Sequence, residues 1–496
     1  MKSIVKSIVK SIKKNSKRMH CRFGCHVGTC AVVLLIAASF LVSCSTSQDS
    51  SVGVSQTTSE AQGNRPERPN GKPFGQPTGQ PGGQGDIPGQ GGFGGGSQTV
   101  TQGSSANAID EDGVYEGGTY ESTGDDENAL RVDGASVTLI DITVDKSAGA
   151  TSNTESGDFY GMNAALLATN GANVTITGAN VTSNAQNGNG VFSYGESTVV
   201  TISDSTIATT KDNSGGIQTT GGGTTYATNL TVETSGNSSA AIRSDRGGGT
   251  VVVNDGSYTS NGYNSPAVYS TADITVSNAI LTANNSEALV IEGRNSIALG
   301  DCVVYGNMSD TKGTSSDENV HNVMIYQSMS GDAAIGTSSF SMERGVLTSN
   351  NGDMFYITNT ACTVALSNAT LVNNEEDSYL FNITGNSASH GWGSAGSNGA
   401  QAVVTCSNQI LEGDIRVDSI STLELVLKEG SSFTGTINVV SNTEGGAAVS
   451  NNAVVTIEAG CIWTLTGDCT LTSLDCDGVL ILNGYTITLA DGTVLA

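Results

Sequence analysis

From about residue 128 onward one spacing recurs, and no other feature restricts the fold as much. Val174-Thr-Ile176-Thr-Gly178-Ala-Asn-Val181 carries apolar residues at offsets 0, 2 and 7, with a small or polar residue at offset 4. The same template starts at Val137, Val200, Thr225, Val251, Ile274, Ile297, Phe340, Val364, Val404, Leu425, Val455 and Val479. Eight of the twelve intervals lie between 21 and 26 residues, which leaves room for short strands and turns only. Offset 4 is Asp, Asn or Gly in ten of the thirteen copies, for example Asp141, Asp204, Asn278 and Asn368. Those residue types tolerate the backbone that a corner between strands demands.

A second element precedes most copies, in the order small, apolar, variable, small. It reads Ala165-Leu-Leu-Ala168, Gly190-Val-Phe-Ser193, Gly216-Ile-Gln-Thr219, Ala241-Ile-Arg-Ser244 and Ala267-Val-Tyr-Ser270. No stretch of ten residues in this region sustains helical periodicity. The pattern predicts an all-β solenoid of about thirteen coils, each with three short strands, stacked at the ~4.8 Å strand spacing. This resembles the right-handed parallel β-helix, the pectate-lyase-like fold of bacterial surface and secreted proteins, over roughly residues 110–496. It is also similar to adhesin-like and polysaccharide-binding β-helix lipoproteins of bacterial surfaces, a resemblance that implies glycan binding without fixing it.

Composition agrees with a turn-rich β protein: Gly contributes 64 residues and aromatic residues only 5%. A net charge of −26 argues against a nucleic-acid partner, which needs a basic face. Charged residues, at 14%, are too few for a coiled coil.

The N-terminus reads as an address. Lys2, Lys6, Lys10, Lys13, Lys14, Lys17, Arg18 and Arg22 precede an uncharged apolar run from Ala31 to Val42. That order is the one of a secretory signal, and the run falls short of the roughly 20 residues of a spanning helix. Leu41-Val42-Ser43-Cys44 resembles a bacterial lipobox. The resemblance implies a signal peptide over 1–43, lipidation of Cys44, and a body outside the cytoplasm held to the membrane by its lipid alone. Residues 44–105 read as a tether, with six of the seven prolines between Pro66 and Pro88 interleaved with Gly and Gln. The body is expected over 106–496. Its long intervals mark insertions at corners: 145–163 and 305–322 after a third strand, 328–339 and 384–403 after a first strand on neighbouring coils. The last two are expected side by side.

Enzymes of the resembled fold use clustered aspartates with Ca²⁺, or an Asn-Thr-Asp, Asp-pair, Gly-His-Gly and Arg-x-Lys set. No such set stands in this sequence; Ser389-His390-Gly391 lies in an insertion and reads as loop. The acid-rich segment 110–127 (Asp110, Glu111, Asp112, Glu116, Glu121, Asp125, Asp126, Glu127) contains no base and is the candidate for Ca²⁺; a solvated, repelling surface is its other reading. Cys406 occupies an inward position, and pairing among Cys461, Cys469 and Cys476 is left open.

If the small and apolar positions of the first strand face inward, the variable ones stack outward. They read Arg131/Asp133, Leu167/Thr169, Phe192/Tyr194, Gln218/Thr220, Arg243/Asp245, Tyr269/Thr271, Val290/Glu292 and Met324/Tyr326. Phe192, Tyr194, Tyr269 and Tyr326 are then expected as exposed platforms for an extended polysaccharide, such as a host or cell-surface glycan. Arg243, held by Asp245, would pair with an acidic sugar or with hydroxyls. Strand propensity alone also places Tyr and Phe on strands. The expected function is non-catalytic, polysaccharide-binding or adhesin-like. The alternatives are a polysaccharide lyase or hydrolase, which needs carboxylates and a base converging on the first-strand face, and a passive spacer.

Overall fold

The computed structural model describes residues 99–310 and 319–496. The signal segment, Cys44, the tether up to residue 98 and part of the 305–322 insertion lie outside the described residues. The fold is an all-β parallel β-helix. Thirteen strands, from Ala108–Ile109 to Ile437–Val440, form the first-strand sheet, and a second sheet holds twenty-two strands. Consecutive template copies pair in parallel, in the register that the template implies. Val137 stacks on Val174, Val174 on Val200, and the series runs unbroken through Val251, Ile297, Val364 and Leu425 to Val455. Burying both the offset 0 and offset 2 side chains in one core enforces that register, because a slip of one residue would turn them to solvent.

Two copies depart from the template. Val455 is followed by Leu474, not Val479, which is 51% exposed and continues a four-stranded sheet against Ile462. Val479-Leu480-Ile481-Leu482 is apolar at both parities, so alternation could not choose its face. A further coil precedes Val137, with Gly113 opposite Val137 and Tyr115 opposite Leu139. Its Gly at offset 0 hid it from an apolar template. Contacts with the body already start at Gln102, whose Nε2 donates to Tyr160 O at 2.9 Å.

Offset 4 is the left-handed corner. Asp141, Gly178, Asp204, Asn229, Asp255, Asn278, Asp301, Arg344, Asn368, Asn408 and Glu429 all have φ between 50° and 70°. Asn and Asp adopt this region readily and Glu does not. Glu429 is exposed, so Glu429→Asn should stabilise the protein by about 1 kcal/mol. A rise in the chemical-denaturation midpoint checks this; an unchanged or lower midpoint contradicts it.

A serine ladder builds the corner ahead of the first strand. The hydroxyls of Ser214, Ser239, Ser265 and Ser286 each accept a backbone N–H from the preceding coil, at 2.9–3.0 Å. Buried donors that a turn leaves unpaired are thus satisfied coil by coil.

Three acids of the 110–127 segment, the Ca²⁺ candidate, are engaged by backbone N–H groups. Among the described residues no group of three or more His, Cys, Asp or Glu side chains is placed to hold a metal ion. Asp112, Asp125 and Asp126 instead accept backbone N–H groups of the next coil from Ser136, Ala150 and Ser152, at 2.7, 2.6 and 2.7 Å. The base missing from the segment arrives from that coil: buried Lys146 donates through Nζ to Ser122 Oγ at 3.2 Å and to Gly124 O. Burial lowers the Lys146 pKa, against the pull of Glu127, Asp125 and Asp126. All six described cysteines are free thiols, including Cys461, Cys469 and Cys476. Cys406 is a core residue, and burial pushes its thiol up to about 12.

Candidate functional site: a cleft on the first-strand face

The outward row of the first-strand sheet runs Arg131, Leu167, Phe192, Gln218, Arg243, Tyr269, Val290, Met324 and Tyr356, each opposite the next. The expected stacking is therefore present. The expected exposure is not, because the insertions fold back over the row.

The 145–163 insertion contains helix α1 (Thr154–Tyr160), started by Asn153, whose side chain accepts Ser156 N–H, and ended by Gly161 at φ 79°. Gly157 lets it lie close, since a Cβ there would stand 2.5 Å from Asn187 Cβ. Beneath it Phe192 is 0% exposed and packs with Ala164 and Leu167. Phe192 is thus a buried anchor for the α1 insertion, not a platform. Tyr194 is half-buried, edge-on to Tyr160 with ring centroids 5.6 Å apart. Two outward polar side chains hold the helix: Gln218 Nε2 donates to Asp158 O and Thr220 Oγ1 to Phe159 O, both at 2.6 Å.

Arg243 and Asp245 meet as expected, with Nη2 donating to Asp245 Oδ2 at 2.9 Å. They are 9% and 5% exposed, so this pair is an internal strut. Arg243 also meets Asp158 of α1 at 3.3 Å and donates to Ser238 O at 3.2 Å. Its guanidinium is engaged on three sides and is not free for an acidic sugar. Burial, with the neighbouring Asp158 and Asp332 carboxylates, pushes Asp245 up to about 7 against the pull of Arg243. Burial likewise raises Asp158. Arg246, next along, donates through Nε and Nη2 to Asp332 Oδ1 at 2.9 and 2.7 Å, and its Cζ stands 4.0 Å over the Phe159 ring. It ties α1 to the 328–339 insertion.

Tyr269 and Tyr326 converge on Glu292, donating from their hydroxyls to Oε2 at 2.6 and 3.0 Å. Ser328 donates to Oε1. Burial raises the Glu292 pKa against these bonds. Burial first, then the Glu292 charge, holds both phenols well above their usual 10. Tyr326 is buried under Trp392 of the 384–403 insertion, with centroids 4.7 Å apart. Trp392 thereby reaches the strand from which the 328–339 insertion departs. His390 remains an exposed loop residue 5.0 Å from the Trp392 ring.

A cleft of about 270 Å³ stays open between α1 and the 328–339 insertion. Asp158, Arg243, Asp245, Glu287 and Asp332 supply its charges, and Phe159, Tyr269, Tyr326, Pro266 and Val290 its apolar surface. Asn213, Ser238 and Asn264 form the rim, placed by the serine-ladder corner. Of the six residues expected in a glycan site, Arg243, Asp245, Tyr269 and Tyr326 line this cleft, and Phe192 and Tyr194 do not. Sequence reasoning missed Asp158, Asp332 and Glu287. The first two sit in insertions with no period, and Glu287 lies ahead of the strand where no template position marks it.

Comparison with known proteins returns no relative: no family model, no curated protein and no solved structure matches this chain.

Proposed function

We propose that this chain is a bacterial surface lipoprotein, anchored through Cys44, whose pectate-lyase-like β-helix binds a short stretch of polysaccharide without cleaving it. The observation that carries the reading is the cleft on the first-strand face, where an aromatic and aliphatic floor adjoins convergent polar groups. Sugar rings present one apolar face and a rim of hydroxyls, and this lining matches both. A volume near 270 Å³ suits one or two sugar units rather than the long strip that a row of exposed rings would serve. Adhesion follows if the bound glycan belongs to another cell.

Hydrolysis is the second reading, because Asp245 at about 7 lies in the range of a general acid. The bonding weighs against it. Asp245 Oδ2 accepts from Arg243 and Oδ1 from the Arg246 N–H. Both Glu292 oxygens accept hydroxyls. A carboxyl group with its oxygens engaged serves a fixed scaffold better than proton transfer.

A glycan array probed with the intact protein tests the reading. Tyr269→Ala should weaken retention of any glycan bound by about tenfold, the value of about 1.4 kcal/mol of lost ring contact. Tyr269→Phe should retain most of it. Equal retention by wild type and Tyr269→Ala, with an unchanged far-UV spectrum, removes the cleft as the binding site. Absence of any glycan binding leaves a passive spacer. New reducing ends that vanish in Asp245→Asn, with no unsaturated uronate absorbance, would instead establish hydrolysis.

A further inference from the structure

We infer that the cleft selects a ligand bearing a protonated amine, which within the glycan reading means an amino sugar whose amino group is not acylated. This rests on the cleft being the glycan site and goes on to name the chemistry that it prefers.

The first observation is charge. Asp158, Asp245, Glu287 and Asp332 line the cleft, against Arg243 between the first two and Arg246 on Asp332; even with one proton held by the Asp158–Asp245 pair, which burial favours, one carboxylate is in excess. In a partly enclosed space bounded by low-dielectric walls such an excess attracts a cation and repels an anion.

The second observation is independent of the count and concerns Glu287. Its side chain is 2% exposed and lines the cleft. One oxygen, Oε2, accepts from Ser286 Oγ at 2.5 Å. For Oε1 the described residues provide no hydrogen-bond donor, and none of their cations forms an ion pair with the carboxylate. Its near neighbour His321 is also buried, and desolvation lowers the imidazole pKa against the pull of Glu287 and Asp353. A buried carboxylate without a counter-charge is costly, and it is kept where something else supplies the charge.

The third observation narrows the cation. No three acidic, His or Cys side chains among the described residues converge closely enough for a metal ion, so the carboxylates suit a cation with dispersed hydrogen bonds. An ammonium group offers three N–H donors and also favours aromatic faces. The rings of Phe159, Tyr269 and Tyr326 line the same cleft. The cleft wall already uses this affinity, where Arg246 covers Phe159.

Titration calorimetry on the intact protein tests the inference with backbone-matched oligosaccharides: glucosamine oligomers, their N-acetylated counterparts and neutral glucose oligomers, with spermidine as an amine that is not a sugar. The glucosamine oligomer should bind at least tenfold more tightly than the other two. Glu287→Gln, nearly isosteric, should bring that ratio close to one with an unchanged melting transition. Equal affinities for the three oligosaccharides overturn the amine inference and leave the glycan reading standing. Binding of spermidine alone, lost in Glu287→Gln, upholds the amine and overturns the glycan reading. A preference for amines that survives Glu287→Gln overturns the cleft as its source. No binding of any of the four probes overturns the amine inference, while the glycan reading stands or falls on the array.

Discussion

Arg243→Met should destabilise the protein by about 3–5 kcal/mol, the cost of leaving buried carboxylates without their partner. Arg243 is the only cation within ion-pair distance of Asp158 and Asp245 among the described residues, and both acids are largely buried. Because Asp158 belongs to α1, the loss should appear first as faster amide exchange in 154–160, and then as a lower urea midpoint. Neutralising all three, with Asp158→Asn and Asp245→Asn added, should recover most of the loss, since a pair replaced as a unit costs far less than a pair broken. Retention of full stability by Arg243→Met alone would mean that the carboxylates were already protonated. The pH dependence follows from the raised Asp245. Its folded pKa, about 7, lies above the unfolded value near 3.8. The folded state therefore holds the proton more tightly. The stabilisation is complete below pH 3.8 and is lost as pH rises through 7. From this group the melting temperature at pH 5 should exceed that at pH 8, and the Asp245→Asn variant should lose that part of the difference.

The second large effect lies in the core. Phe355 and Phe381, opposite each other on neighbouring coils, stack at 4.6 Å with planes 12° apart, and Phe340 meets Phe355 edge-on at 5.6 Å. All three are essentially unexposed. Phe355→Ala should cost about 3–5 kcal/mol, because the coils on either side are held in register and cannot collapse into the space. In a solenoid each coil touches only its neighbours, so the break is local. Thermal unfolding should divide into two transitions, one for the coils on each side of 355. Phe355→Leu, which conserves most of the volume, should cost under about 1.5 kcal/mol and keep a single transition. A single transition in Phe355→Ala with an unchanged midpoint would show that the stack contributes nothing.

The extent to which the fold was legible follows from where the periodicity lies. Val137 to Val455 could be placed on one inward line because every coil repeats the same burial problem. The corner at offset 4 was legible for a related reason, since few residues accept φ near 55° and the chain supplies Asp or Asn at most copies. Legibility failed where those signals fail. Gly113 lacks the apolar side chain, and Val479 stands in a stretch apolar on both faces. The order of the outward row, with Arg243 opposite Tyr269, followed from the same alternation.

What alternation carries is direction, not cover. It sets Phe192, Tyr269 and Tyr326 on the outward side of a strand, but the distance from there to solvent depends on what else folds onto that side. Helix α1, the segment with Asp332 and the loop with Trp392 belong to no period, and the contacts that seat them join residues as far apart as Arg246 and Asp332. The sequence by itself therefore determined the parallel coils, their inward ladders, their corners and the outward row. Only the tertiary structure decided that the row is roofed, that Arg243 and Asp245 act as an internal strut, and that a bounded acidic cleft replaces an open aromatic strip. The physical reason is that coil stacking is a local problem repeated at each turn, whereas the roof is held by single pairings that no repeat announces.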